Sequence, residues 1–148
     1  FPILIRVIKK KEEKFFIFGK DWPTHDGTCI RDFIHVMDLA EAHVAALEYL
    51  LSIEPKFIAL NIGRGLGTSI LELIKAFKEI DINIPFKFVD KRNGDEPFVV
   101  ADNSLALSLL QWKPKRSLKD ICKDYINLKV FHMPKLLDIF FKNVVEKL

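Results

Sequence analysis

The sequence contains few cysteines and no long apolar run, and both features limit what the protein can be. Its two cysteines, Cys29 and Cys122, stand far apart, whereas disulfide frameworks and metal sites use closely spaced pairs. We therefore predict reduced thiols and a cytoplasmic location. The apolar runs fall short of the roughly 18 residues that a membrane-spanning helix needs, and no signal-peptide pattern is present. We expect neither a disulfide-rich secreted protein nor a membrane partner.

The chain also lacks a strong excess of one charge. Its 23 basic residues are balanced by 20 acidic ones, the net charge is +3, and the basic residues form no stripe, so we expect no nucleic-acid partner. With 148 residues, 49% of them hydrophobic and 29% charged, the sequence has the size and composition of one globular domain. Because it begins with Phe1 rather than methionine, we expect the C-terminal piece of a longer protein.

Hydrophobic periodicity predicts an alternation of helices and strands. Apolar residues at helical spacing predict helices over residues 2–10, 39–52, 70–80, 104–110 and 118–130. Short apolar or alternating runs predict strands over residues 15–18, 57–62 and 85–90. This order is typical of α/β packing. About three strands for five helices are few for an independent sheet, so we expect these strands to add to a larger one.

Polar residues at the predicted helix N-termini have the chemistry of helix caps. Two pairs have the spacing of a capping box, in which two side chains satisfy free backbone N–H groups: Asp38 with Glu41, and Ser69 with Glu72. Two single residues are predicted caps of the later helices: Asn103 and Ser117. Beyond Pro134, apolar residues again recur at helical spacing, so residues 131–148 are predicted to form a separate tail helix.

The glycine-rich segment 63–69 lies between a predicted strand and a predicted helix, which is the position of a dinucleotide-binding loop. That loop has the pattern G-x-G-x-x-G, but here the third glycine, Gly67, comes one residue early and Thr68 stands in its place. Asp90 has about the right distance for a ribose-binding acid, although charged residues are common in this chain. We therefore interpret the segment as a tight turn in which glycines adopt positive φ.

Tyr125 and Lys129 form a Y-x-x-x-K pattern, the catalytic pair of short-chain dehydrogenases. Residues i and i+4 share a helix face, so the lysine could lower the pKa of the tyrosine and let it act as a base. However, no nucleotide-binding unit precedes the pair, and lysines are frequent enough for a chance match. We interpret Tyr125 as a helix packing residue and predict no catalytic residue in this chain.

No metal site is predicted either. His25, His35 and His43 do not have the spacing of metal ligands. We expect His35 to be a structural, hydrogen-bonded histidine that precedes the Asp38 cap.

The most informative segment spans residues 18–40 and reads F-G-K-D-W-P-T-H-D-G-T-C-I-R-D-F-I-H-V-M-D-L-A. It closely resembles the pattern F-G-x-D-[YW]-P-T-x-D-G-T-x-x-R-D-[YF]-I-H-V-x-D-L-A of the UDP-glucose 4-epimerases, which are NAD-dependent extended short-chain dehydrogenases. The resemblance continues with N-I-G at 61–63, R-N-G-D at 92–95 and Trp112, and it covers about residues 1–128.

The resemblance implies an α/β fold that corresponds to the C-terminal, substrate-binding part of such an enzyme. Residues 1–130 would form this UDP-sugar-binding portion, and residues 131–148 a tail that departs from the family pattern. The family binds NAD through an N-terminal Rossmann domain, which this sequence lacks together with the catalytic base. The resemblance further implies galactose metabolism and homodimers for full-length members, and a chain that is inactive alone.

The resemblance also implies four substrate-binding residues. Arg31 and Arg92 match the diphosphate-binding arginines, and a guanidinium offers paired donors that fit phosphate oxygens. We expect these two arginines to reach one diphosphate from separate loops. Asp95 matches the acid near the ribose hydroxyls, and Phe18 matches the aromatic residue beside the uracil, with a plain core position as its alternative. Val99 stands where some members carry an aromatic hydroxyl, so that contact is predicted to be lost.

Two alternatives stay open. Sister enzymes share the shorter motif R-D-[YF]-x-[HY]-V-x-D, and they include UDP-glucuronate epimerases, UDP-N-acetylhexosamine epimerases and dTDP-glucose dehydratases. The segment D-x-P-T-x-D-G-T at residues 21–28 favours the 4-epimerase branch over these. The non-enzymatic alternative is a decayed coding fragment that does not fold alone.

Overall fold

Helices and short strands alternate along the computed structural model, which describes residues 1–54 and 57–127. Within these residues there are five helices and five strands. In chain order they are α1 (Pro2–Ile8), β1 (Phe15–Phe18), β2 (Ile30–Asp32), α2 (Val36–Leu51), β3 (Gly67–Ser69), α3 (Ile70–Lys78), β4 (Phe86–Val89), β5 (Phe98–Val99), α4 (Ser104–Leu110) and α5 (Leu118–Asn127). The predicted α/β class is confirmed.

The strands form two small sheets. β1 and β4 pair in parallel, with Phe15 opposite Phe86 and Phe18 opposite Val89. In the other sheet β2 lies in the middle, antiparallel to β3 and parallel to β5. The parallel pair brings the C-terminal ends of β1 and β4 side by side, so the loops that follow these two strands are neighbours.

Two apolar clusters hold the helices in place. One is built from α1, α3 and α5 and includes the fully buried Phe77 and Cys122. The other joins α2 to α4 and to Trp112, and it includes the fully buried Ala42 and Ala106. Each cluster removes apolar surface from water, which is the main stabilising contribution to a fold of this size.

Most predicted elements are confirmed. The predictions for residues 2–10, 15–18, 70–80, 85–90 and 104–110 correspond to α1, β1, α3, β4 and α4, each within one to two residues at either end. α5 begins directly after Ser117 as predicted, and its predicted end near residue 130 lies outside the described residues. The tail helix predicted for residues 131–148 also lies outside them.

The strand predicted over residues 57–62 is wrong. Over residues 57–62, all of which the structure describes, the backbone forms no β-ladder, and the Phe57 side chain is 95% exposed. Leu60 and Ile62 pack instead against the cluster between α2 and α4. Conversely, β2, β3 and β5 were not predicted, because runs of two or three residues show no periodicity of their own.

The capping box predicted for Asp38 and Glu41 is also wrong. α2 begins at Val36, and its N-cap is His35, whose Nδ1 accepts a hydrogen bond from the Met37 N–H (3.0 Å). Asp38 is fully buried inside the first turn and accepts hydrogen bonds from the backbone N–H (3.0 Å) and the guanidinium of Arg116. Burial alone would raise the pKa of Asp38, but the hydrogen bonds from Arg116 outweigh burial and lower it. His35 is therefore the cap and Asp38 the partner of a buried ion pair.

The caps of the later helices differ in detail. Ser69 and Glu72 form the predicted capping box of α3. Ser117 and Asp120 form the same reciprocal pair at α5. Asn103 stands at the N-cap of α4, but its side chain donates to the carbonyl oxygen of Gly63 (2.8 Å) rather than capping the helix. The Asn103 amide therefore ties the turn before β3 to the start of α4.

Candidate functional site

A cavity of about 450 Å³ lies between the first turn of α1, the two sheets and the loop after β4, and we call it the arginine cleft. It is lined by Phe1, Pro2, Ile3, Phe15, Phe16, Ile17, Phe18, Cys29, Arg31, Ile70, Arg92 and Asp95. All four residues that the sequence indicates as substrate-binding are among them: Phe18, Arg31, Arg92 and Asp95. The remaining lining is apolar except for Cys29.

The parallel pairing of β1 and β4 places Phe18 beside Arg92. Phe18 is the last residue of β1, and the Trp22 indole N–H donates to its carbonyl oxygen (2.9 Å). The guanidinium of Arg92 lies over the Phe18 ring, 4.1 Å from its centroid. Asp95 accepts two hydrogen bonds from Arg92, at Nε (3.0 Å) and Nη2 (3.1 Å). Phe18 and Asp95 therefore hold the guanidinium plane in one orientation, with one face of the phenyl ring covered.

Arg31 lies on the central strand β2, so the prediction that both arginines stand on loops is wrong for Arg31. Its neighbours across the sheet are Thr68 on β3 and Val99 on β5. Nη1 of Arg31 donates to the carbonyl oxygens of Ile30 and Glu96, both at 2.8 Å. In the described residues the hydrogen bonds of Arg31 engage Nη1 alone, which leaves Nε and Nη2 as donors for a ligand.

A hydrogen-bond network around Asp26 organises the loop before β2. The Asp26 carboxylate accepts hydrogen bonds from the backbone (2.9 Å) and hydroxyl (2.7 Å) of Thr28 and from the Ser69 hydroxyl at the start of α3. Burial tends to raise the pKa of Asp26, but these hydrogen bonds lower it overall. The D-x-P-T-x-D-G-T motif is therefore a folded strap that ties β2 to α3. Sequence reasoning missed this role, although the density of short polar residues indicates local hydrogen bonding.

The charges and shape of the cleft favour an anion that carries an apolar group. Two guanidinium groups and one carboxylate give the cleft an excess of positive charge. The phenyl rings of Phe15, Phe16 and Phe18 add apolar lining. Because both arginines are already oriented, little side-chain entropy is lost when an anion binds.

Val99 lies outside this cleft, half exposed on β5. It lines a neighbouring cavity of about 500 Å³ together with Arg31, Asp32 and Asn61. Arg31 thus borders both cavities.

The segment 63–69 does not fit an NAD phosphate. The N–H groups of Arg64 and Gly65, which a phosphate-binding loop would offer to its ligand, donate to the Asp32 carboxylate (3.0 and 2.9 Å). Gly65 has a φ of +68°, and Gly67 already belongs to β3. The interpretation as a tight turn is consistent with this geometry, and we assign no cofactor chemistry to it.

Tyr125 has the surroundings of a packing residue. Its ring contacts the Phe1 ring edge-on, with centroids 4.9 Å apart. Burial raises the pKa of Tyr125, which is opposite to the change that an activated base requires. Lys129, the other half of the Y-x-x-x-K pattern, lies outside the described residues.

Cys29 and Cys122 are buried free thiols, and burial raises the pKa of Cys122 to about 11. Over residues 1–54 and 57–127, no cluster of His, Cys, Asp and Glu has the arrangement of a metal site. In the same part of the chain, no helix is long and apolar enough to cross a membrane.

Comparison with known proteins identifies the family. The model of the NAD dependent epimerase/dehydratase family matches residues 1–63. The UDP-glucose 4-epimerase of Bacillus subtilis is 44% identical over 124 residues, which cover 83% of this chain and 36% of that protein. The corresponding enzyme of Drosophila melanogaster is 41% identical over 125 residues. The chain belongs to the NAD dependent epimerase/dehydratase family, and it spans about 36% of the length of the curated relatives it matches.

Solved structures of more than one kind of epimerase match the chain. A UDP-glucose 4-epimerase from Stenotrophomonas maltophila, with bound NAD and formylated UDP-arabinopyranose, matches with a TM-score of 0.81 and 44% identity, over 85% of this chain and 38% of that one. A UDP-glucuronic acid 4-epimerase from Bacillus cereus matches with a TM-score of 0.64 and 34% identity, over 82% of this chain and 38% of that one. Of these two structures, the UDP-glucose 4-epimerase is the more similar to this chain in both sequence and structure.

Proposed function

We propose that this chain binds the UDP part of a nucleotide sugar in the arginine cleft and so forms the substrate-binding portion of a UDP-glucose 4-epimerase. One observation carries the proposal. Four residues from three separate segments, Phe18, Arg31, Arg92 and Asp95, line one cavity. The similarity to proteins named UDP-glucose 4-epimerase supports the same assignment.

Each side chain has a distinct role in this proposal. The free donors of Arg31 and the guanidinium of Arg92 bind the two phosphates from opposite sides of the cleft. Asp95, which now accepts from Arg92, accepts hydrogen bonds from the ribose hydroxyls. Because Arg92 covers one face of the Phe18 ring, the base contacts the ring edge or its other face.

The finer assignments follow from the same proposal. The whole enzyme interconverts UDP-glucose and UDP-galactose with NAD, in galactose metabolism, in the cytoplasm and as a homodimer. Residues 1–130 contribute substrate binding to this reaction, and the residues of this chain do not contribute the cofactor site or the base.

Titration of the chain with UDP tests the proposal, using heat of binding as the readout. Charge-assisted hydrogen bonds contribute about 1.5–3 kcal/mol each, so we expect Arg31→Ala or Arg92→Ala to weaken UDP binding by roughly 10- to 100-fold. Lysine at either position should restore only part of the affinity, because a point charge does not reproduce paired donors. Uridine, which has no diphosphate, should be insensitive to Arg31→Ala.

Arg6→Ala is the matched control, because Arg6 lies on α1, pairs with Glu12 in the turn that follows and does not line the cleft. Its UDP affinity should equal that of the unaltered chain. Unchanged affinity in Arg92→Ala would show that the R-N-G-D motif has been assigned the wrong role. An equal loss of UDP affinity in Arg6→Ala would show that Arg31 and Arg92 act only through nonspecific charge attraction.

A further inference from the structure

Lys91 directly precedes Arg92, and its side chain contacts the loop that follows β1. Its ammonium nitrogen lies over the Trp22 ring, 4.5 Å from the centroid. The same nitrogen is 3.1 Å from Oδ1 of Asp21 and donates to the Asp21 backbone oxygen (3.2 Å). The hydrogen bond from Lys91 lowers the pKa of Asp21. We call Asp21, Trp22 and Lys91 the lysine clasp, and none of the three lines the arginine cleft.

Gly19 shows how closely the two loops pack at the lysine clasp. Its backbone N–H donates to the carbonyl oxygen of Val89 (2.8 Å), directly after the paired residues of β1 and β4. Its φ is +82°, and a Cβ atom there would overlap the Trp22 indole nitrogen and lie 2.7 Å from Cγ of Lys91. A glycine at this position therefore permits the left-handed backbone and leaves room for Trp22 and Lys91.

The lysine clasp is connected to the arginine cleft on both strands. On the side of β1, the Trp22 indole N–H donates to the carbonyl oxygen of Phe18 (2.9 Å). On the side of β4, one peptide bond joins Lys91 to Arg92. Phe18 and Arg92 are the two cleft residues that stack on each other, with the guanidinium 4.1 Å from the ring centroid. Both partners of this stack are therefore attached directly to the clasp.

The Arg92 side chain itself has little support from other elements. In the described residues its guanidinium donates hydrogen bonds to Asp95 alone, and Asp95 lies three residues further along the same loop. The Arg92 side chain is 59% exposed, and a cation–π contact with Phe18 at such a site is weak. The position of the guanidinium therefore depends on how the loop after β4 is held against the loop after β1.

We propose that Lys91 is a positioning residue for the ligand of the arginine cleft: Trp22 and Asp21 hold it, and it acts on the ligand through Arg92. This inference rests on the proposed binding of UDP in that cleft. An arginine that is already held in place loses less conformational entropy when it binds a phosphate, so the lysine clasp raises the affinity for UDP without contacting it. The competing explanation is a general attraction between the positive charge of Lys91 and an anion.

Calorimetric titration of the full chain with UDP tests the inference. We expect Lys91→Met to weaken UDP binding by about two- to fivefold, which corresponds to the loss of one exposed cation–π contact. Lys91→Arg should bind UDP like the unaltered chain, because a guanidinium also stacks on an indole and pairs with a carboxylate. Lys87→Met is the matched control, since Lys87 is exposed on β4 and does not line the cleft. An equal loss of affinity in Lys87→Met would overturn the inference in favour of general attraction.

Asp21→Asn separates positioning from general attraction, because the two explanations predict changes of opposite sign. Removal of a negative charge should strengthen the binding of an anion if only the charge of the surface matters. We expect binding to weaken by about twofold instead, since Lys91 loses its ion-pair partner. Asp90→Asn makes the same change of charge at an exposed neighbouring position and should not weaken binding. If circular dichroism shows that Lys91→Met has unfolded, Asp21→Asn decides the question alone.

A double-mutant cycle with Arg92→Ala shows whether Lys91 acts through Arg92. We expect Lys91→Met to have almost no effect on UDP affinity in the Arg92→Ala chain, because the group that it positions is gone. Three results would overturn the inference and leave the proposed function standing: equal losses in both backgrounds, unchanged affinity in Lys91→Met although Arg92→Ala weakens binding, or tighter binding in Asp21→Asn. Unchanged affinity in Arg92→Ala would overturn the proposed function and the inference with it.

Discussion

The ion pair between Asp38 and Arg116 removes a charged carboxylate completely from solvent. The Asp38 side chain is fully buried, whereas that of Arg116 is 29% exposed and also contacts Glu41 (3.0 Å). A buried carboxylate is tolerated only when its oxygens are paired, and here both oxygens accept from Arg116. The contact joins the first turn of α2 to the segment before α5.

We expect Asp38→Asn to destabilise the chain by about 2–3 kcal/mol. Breaking a buried ion pair costs roughly 3–5 kcal/mol, and the partial exposure of Arg116 reduces the loss. Urea unfolding followed by circular dichroism measures the free energy of unfolding. Asp90→Asn, at an exposed position, is the control and should change stability by less than about 0.5 kcal/mol. Equal stability of the two variants would contradict the role of Asp38.

The same contact has a defined pH dependence. Because the pKa of Asp38 is lower in the folded chain, its stabilising contribution is present above the unfolded pKa, about 4, and is lost as the pH falls through the folded pKa. The stability difference between the chain and Asp38→Asn should therefore shrink as the pH is lowered below 4.

At the scale of elements, α3 shows how a local signal and a distant contact combine. The Ser69 hydroxyl accepts from the Glu72 N–H (3.0 Å), while the Glu72 carboxylate accepts from the Ser69 N–H (2.7 Å). The same hydroxyl donates to Asp26, far away in the sequence. The start of α3 and the strap before β2 therefore depend on one side chain.

We expect Ser69→Ala to cost about 1–2 kcal/mol, because it removes an N-cap and leaves Asp26 without one partner. Ser108→Ala is a suitable control: Ser108 is exposed on α4 and only donates to the Leu105 carbonyl oxygen. Thermal unfolding measures the melting temperatures of both variants. An equal decrease in the two would contradict the stabilising role of the Ser69 cap.

At the scale of the whole molecule, the arginine cleft has the chemistry of a binding site, whereas the glycine-rich turn and Tyr125 do not have the surroundings of a cofactor site or a base. The arginine cleft is formed within residues 1–95, whereas the candidate loop for a dinucleotide is closed by Asp32. The candidate base, Tyr125, packs on Phe1. We therefore expect this chain to bind UDP without catalysing the interconversion of UDP-sugars.

We expect the chain with added NAD not to interconvert UDP-galactose and UDP-glucose, because in the described residues Asp32 occupies the N–H groups of the glycine-rich turn and burial raises the pKa of Tyr125. A coupled assay for UDP-glucose measures this, with the full-length Bacillus subtilis relative as the positive control. Turnover above background that Tyr125→Phe abolishes would refute the expectation and assign Tyr125 a catalytic role.

The sequence by itself determined the elements whose pattern is local and the residues of the candidate site. α1 and α3 have helical spacing of apolar residues, β1 has an apolar run ended by a glycine, and Ser69 with Glu72 has capping-box spacing. Phe18, Arg31, Arg92 and Asp95 could be singled out because their motifs resemble those of a known family.

Only the tertiary structure decided how these parts meet. Strands as short as β2, β3 and β5 exist because distant segments supply their ladder partners, and no periodicity of two or three residues can predict that. Contacts between distant residues also explain why Asp38 binds Arg116 instead of capping α2. A buried carboxylate must accept hydrogen bonds, and the fold places the donors of Arg116 beside it. Arg31 and Arg92 share a cleft because β1 pairs with β4 beside β2, and that arrangement depends on contacts between residues far apart in the chain.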